Sequence, residues 1–223
     1  MAISLPSVPR VTNIGWRTPA VIVACGCMIS LLSFGPRASL GFFLTPMSQD
    51  MGWDRDVFGL ALAIQNILWG VGQPFAGAIA DRYGTMRVLC AGGLFYAIGL
   101  VLMAYSTTPG MLDLGAGVFV GFGLAGCSFS VVLGAFGKLL PARWRSLAFG
   151  AGTAAGSFGQ FLFSPLAVAL MGAVGWHTTL IIFAVMVLIC LPLAFAVATP
   201  APVTPSPRVS CRADAKVAIA VCR

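Results

Sequence analysis

Charge is what this 223-residue sequence has least of: 9% of its residues are charged and 59% are hydrophobic, with a mean hydropathy of +0.96. A typical soluble domain carries about 25% charged residues, so the composition excludes an ordinary soluble fold and defines an integral membrane protein. The basic excess, a formal net charge of +7, lacks any run: its members stand singly in loops and tails, which argues against nucleic acid and for a role in topology. There is one histidine, and the cysteines at 25, 27, 90, 127, 190, 211 and 222 contain no C-x-x-C spacing. Zinc and disulfide frameworks are therefore unsupported, and the intramembrane cysteines read as small apolar fillers. No metal or cofactor is expected. The first apolar stretch also lacks a persuasive cleavage site and is too long for a signal-peptide core.

What is present is a series of apolar stretches at about 19–44, 57–80, 88–105, 112–136, 147–171 and 177–198. Each approaches the roughly 20 residues that cross a hydrocarbon core, so the expected fold is all-α, with six transmembrane helices and short loops. With the amino terminus inside, Arg10, Arg17, Arg82, Arg87, Lys138, Arg143, Arg145, Arg208, Arg212, Lys216 and Arg223 share one side. Only Arg55 falls on the other. The basic-residue bias then places both termini in the cytoplasm. Residues 1–18 form a cytoplasmic segment, 19–198 the helical unit, and 199–223, rich in proline, a disordered cytoplasmic tail.

One compact charged stretch interrupts the apolar pattern: "GAIADRYGTMR", residues 77–87. Gly77 permits close helix approach, Gly84 a tight reversal, and Asp81 with Arg82 supplies a pair of opposite charges. Gly77, Asp81, Arg82, Gly84 and Arg87 reproduce the G-x-x-x-D-R-x-G-x-x-R pattern. The pattern resembles the link between the second and third helices of the major facilitator superfamily. "LLSFGPRASLGFFLTPMSQDMGW" in the first helix is similar to the monocarboxylate-transporter and oxalate–formate-antiporter branch, and "LAIQNILWGVGQPFAGAIADRYG" looks like its bacterial members. The resemblance covers about residues 15–198. It implies a secondary transporter of the bacterial plasma membrane working by alternating access, and a latch in which Asp81 engages a helix terminus of the opposite half. Such a charge–dipole contact is worth on the order of 1 kcal/mol. A plain positive-inside anchor with a surface salt bridge is the alternative for the same residues.

Arg37 is the one basic residue within a span. It stands seven residues before Leu44, roughly 10 Å below the expected helix end at 1.5 Å per residue. Arginine in a helix centre costs about 2.5–3.5 kcal/mol on insertion scales, so it usually faces a cavity or partner. No embedded acid is available to pair with it. A guanidinium can hold a carboxylate through two parallel hydrogen bonds, which predicts a small organic anion, a monocarboxylate, as substrate. Snorkelling to headgroups is the alternative that its depth allows. Gln65, Asn66 and Gln160 are further candidates for the pathway, although interhelical hydrogen bonding would also use them.

Six helices with Ser128 on the fourth and His177 on the sixth faintly resemble rhomboid-type intramembrane serine proteases. A nucleophile needs its base within hydrogen-bond reach. Ser128 is expected roughly 22 Å along its helix from the end where His177 lies, so an enzyme is not expected. Facilitator transporters pair two six-helix halves around a cavity, and this sequence supplies the features of the first. Three explanations are open: a truncated gene, a half that homodimerises, and a half that joins a separate chain. The tail's departure from the family pattern after the sixth helix favours truncation. The partners implied are the bilayer, a small organic anion with a proton or counter-anion, and a second half.

Overall fold

Lipid offers no hydrogen bonds to backbone, so a chain of this composition must satisfy its amides within helices. The computed structural model describes residues 18–199, which are helical apart from short connections. The expected amino-terminal segment and tail lie outside these residues except at Thr18 and Thr199. Helix α1 (Pro19–Met51) begins at a Thr-Pro pair: Thr18 Oγ1 accepts from the Val21 amide at 3.4 Å, and Pro19 occupies a first-turn position that needs no donor. Thr108 and Pro109 repeat the device at the start of α4 (Pro109–Leu139). Between them lie α2 (Arg55–Tyr83) and α3 (Thr85–Ala104). The run Ala142–Ala196 breaks at Gly175 into α5 (142–174) and α6 (176–196).

Four helical runs, Pro19–Met51, Thr85–Ala104, Pro109–Leu139 and Ala142–Ala196, are long and apolar enough to cross a membrane, and the last doubles back on itself. Helix α2 has the length, 29 residues; Gln65, Asn66 and Gln73 lower its hydropathy. Six rods result, as the apolar stretches predict, with two differences of detail. Helix α1 continues beyond Leu44 to Met51 through a tighter turn at Leu40–Phe43, because the polar residues after Leu44 end the hydropathy without ending the helix. Helix α4 widens over Asp113–Phe119 and breaks at Cys127–Ser128.

Neighbour contacts fix the directions. Gly159 lies on Leu31 and Phe163 on Gly35, so α5 runs parallel to α1. A Cβ on Gly159 would stand 2.6 Å from the Leu31 carbonyl oxygen. Gly92 meets Gly126 and Gly99 meets Gly115, which makes α3 antiparallel to α4. Gly117 and Gly121 set α4 beside Ala61 and Gln65 of α2. Small residues give membrane helices the close approach that hydrophobicity cannot drive. Across the core, the fully buried Tyr96 of α3 donates its hydroxyl to the Ser33 carbonyl of α1 at 3.3 Å. Cys127 and Cys190 are buried free thiols that fill space.

The α5–α6 reversal is made by Gly175 alone, at φ 80° and ψ 164°. Phe163 and Phe183, on either side of it, bring their ring centroids within 5.4 Å. That backbone region is nearly exclusive to glycine. Gly175→Ala is expected to cost about 1–3 kcal/mol, read as a lower unfolding midpoint in detergent, whereas Gly172→Ala should be tolerated because a Cβ there meets nothing within 4 Å.

Candidate functional site

Arg37 sits 14 residues before Met51, so the continued helix puts it about 21 Å from that end, while its distance from the end of the apolar stretch at Leu44 stays roughly 10 Å. Its side chain crosses to α2 instead of running along α1. Nη2 donates to Asn66 Oδ1 at 2.7 Å, and Cζ stands 4.3 Å from the centroid of the Trp69 ring. Asn66 is itself oriented by a bond from Nδ2 to the Leu62 carbonyl at 2.8 Å. No carboxylate neutralises Arg37: among the described residues the one ion pair is Asp81–Lys138. Two donors in this contact, Arg37 Nε and Trp69 Nε1, are buried without a hydrogen-bond partner. Unmet buried donors cost about 1–3 kcal/mol each. The contact therefore holds two donors that an acceptor brought against them would satisfy.

Phe34 continues the site across the bundle, edge-on to Trp69 at 6.2 Å and to Phe129 at 6.4 Å. Beyond it a cavity of about 200 Å³ is lined by Phe34, Phe129, Thr153, Gly156, Ser157 and Gln160. Thus α1, α2, α4 and α5 contribute to one face. Arg37 and Asn66 are in direct contact, and Gln160 borders the neighbouring cavity. Gln65 is placed apart: it is buried against the α4 glycines, with Nε2 unpaired. Trp69 is the participant that sequence reasoning passed over, although its position three residues after Asn66 puts both on one helical face.

The hairpin stands at the opposite end of α2. Gly84 adopts φ 93°, which permits the one-residue turn into α3. The Asp81–Arg82 pair expected from sequence does not form. Asp81 instead accepts from Lys138 Nζ of α4 at 2.6 Å, while Arg82 packs on Tyr83 at 5.6 Å. Adjacent residues on a helix point about 100° apart, which separates Asp81 from Arg82 and aims it at α4. Gly77 borders open space, and Arg87 is exposed. Both Asp81 and Lys138 are well exposed, so Asp81→Asn is expected to change the thermal stability of the chain by less than about 1 kcal/mol. A larger loss in an unfolding titration would assign the pair a structural role.

At the far end Trp176 Nε1 donates to Asp50, and His177 packs between Trp176 and Tyr105, with centroids 4.5 and 5.3 Å away. Ser128 Oγ bonds Ser130 Oγ at 2.8 Å. The serine and histidine that would form a protease pair have other partners.

Six apolar rods, a charged reversal between the second and third, and one face carrying an arginine without an acid define a multi-pass membrane protein of transporter type. The model of the Major Facilitator Superfamily matches residues 26–220. The chain belongs to this superfamily. It is 28% identical over 211 residues to human "Monocarboxylate transporter 11", covering 88% of this chain and 42% of that protein. Rat "Monocarboxylate transporter 3" is 30% identical, with 79% of this chain and 35% of the relative covered. The "Uncharacterized MFS-type transporter YcxA" of Bacillus subtilis is 28% identical over 70% of the chain and 38% of its own length. The crystal structure of the peptide transporter POT in complex with sulfate shares the fold at a TM-score of 0.67 and 22% identity, covering 97% of this chain and 46% of that one. The chain thus spans about two-fifths of the length of the curated relatives it matches.

Proposed function

We propose that the chain is the anion-binding half of a secondary transporter for small monocarboxylates, with Arg37 as the carboxylate ligand. The carrying observation is the unneutralised guanidinium whose Nε, together with Trp69 Nε1, has no acceptor. Asn66 positions the guanidinium, Phe34 walls the site, and Gln160 extends the polar lining. The relatives named as monocarboxylate transporters support this substrate class. Arg82, Arg87, Lys138, Arg143 and Arg145 gather at the hairpin end and Arg55 at the other, which favours a cytoplasmic hairpin. Gly77, Asp81, Arg82, Gly84 and Arg87 then serve as the latch toward a second six-helix half. For Asp81 to engage that half, it must first leave Lys138.

Equilibrium binding of lactate to the purified chain tests the site, with tryptophan fluorescence as the readout because Trp69 stacks on Arg37. Lactate is expected to change the emission and neutral lactamide to leave it unaltered; equal responses would overturn the carboxylate assignment. In liposomes these 223 residues alone are expected to insert but to transport lactate poorly, since they span about two-fifths of the length of the transporters they resemble. Robust saturable uptake, with crosslinking that shows a monomer, would refute the need for a second half.

A further inference from the structure

Helices α2 and α3 lean on α4 more than on each other, and this leaves a groove of about 860 Å³ between them. One wall is the α2 stripe Leu68, Val71, Phe75, Ile79 and Tyr83; the other is α3, and the floor is Phe122, Ala125 and Gly126 of α4. The floor is shallow-sided because Gly92 and Gly126 bring α3 and α4 into backbone contact, and Gly72 sits on Ala125. Its rim is apolar: Phe75 is 65% exposed, with Val71, Ile79, Phe95 and Phe122 also open. At the hairpin end the groove meets Arg87, its one charged lining residue. Arg87 has no ion-pair partner among the described residues. Arg82, stacked on Tyr83, adds a second cation beside the same mouth, whereas Asp81 is held by Lys138.

We propose that this groove is a binding site for an anionic phospholipid, with an acyl chain along α2 and α3 and the phosphate on Arg87. The dimensions suit that occupant. Leu68 to Tyr83 spans about 22 Å at 1.5 Å per residue, enough for a chain that fills one leaflet, about 15 Å of hydrocarbon. The charge decides the lipid class. Among the described residues no acid lines the groove to receive the ammonium of a zwitterionic headgroup, while the two arginines favour a net negative one. This site lies behind the Arg37 face, on the side of α2 turned from Asn66, so it stands whether or not the substrate assignment does.

The experiment is native mass spectrometry of the full chain in mild detergent with equimolar phosphatidylglycerol and phosphatidylcholine. Phosphatidylglycerol adducts are expected to be retained about fivefold over phosphatidylcholine, the equivalent of roughly 1 kcal/mol for the one arginine, Arg87, that lines the groove. Arg87→Gln is expected to remove most of that preference, Arg87→Lys to keep it, and Arg55→Gln at the other end to leave it unchanged. Ala91→Trp fills the groove with the charge retained and should lower adducts of both lipids. Excess glycerol phosphate, which has a headgroup but no chain, should not displace the lipid. Equal retention of the two lipids by the unmodified chain, or a preference indifferent to Arg87→Gln, would overturn the proposal. Displacement by glycerol phosphate would show a soluble-phosphate site and overturn it equally.

Discussion

Arg37→Ala is expected to weaken lactate binding by at least tenfold in the fluorescence titration while leaving the helical circular dichroism unchanged. Hydrogen bonds to charged groups contribute about 1.5–3 kcal/mol each, and loss of one such bond corresponds to roughly 10- to 150-fold in affinity. Arg37→Lys keeps the charge but loses the planar fork and the ring stacking, so an intermediate loss of several-fold is expected. Asn66→Ala should weaken binding less than either loss of charge, because Asn66 touches one nitrogen of the guanidinium and not its free Nε. An Arg37→Ala chain that binds lactate as well as the original would remove the site, and the superfamily membership would be unaffected.

The second large effect lies in packing. Gly92→Leu is expected to destroy the folded bundle, because a Cβ there would stand 2.7 Å from the backbone of Gly126 and Cys127. Backbone cannot rotate out of the way as a side chain can, so α3 and α4 would have to separate along their seam. Overpacking in a tight core costs about 1–3 kcal/mol and occasionally more, and this position falls at the upper end. Gly134→Leu, on the partner helix α4 and with nothing within 4 Å of its Cβ, is the comparison. Unfolding in detergent should show Gly92→Leu melted or aggregated under conditions where Gly134→Leu retains its transition. If the two melted alike, the close α3–α4 contact would be refuted.

The rods were legible because an apolar stretch of membrane length has few other outcomes, whereas the start of α4 at Thr108-Pro109 precedes the apolar stretch that begins at 112. Their ends were less so. Hydropathy reports contact with lipid, whereas the helix is held by backbone bonds, so α1 passes unnoticed through "TPMSQD" to Met51. At the site, Arg37 and Asn66 announced themselves as polar groups in apolar helices. Trp69 did not, since an aromatic ring in such a helix reads as packing until an arginine is found on its face. The partner of Asp81 was hidden for a different reason. Lys138 is 57 residues away, and only the parallel seating of α2 and α4 on glycines brings their ends together. Local spacing favoured Arg82, which points elsewhere.

The turn at Gly175 has a mechanical consequence. Hinges work by spreading a rotation over several loosely held residues, and one residue between two long helices, with phenylalanines meeting across them, has little compliance to spread. A tilt imposed on α5 is therefore handed on to α6 nearly undiminished. Trp176, bonded to Asp50 immediately beyond that corner, passes the same displacement to the end of α1, so the corner behaves as a crank and not as a joint.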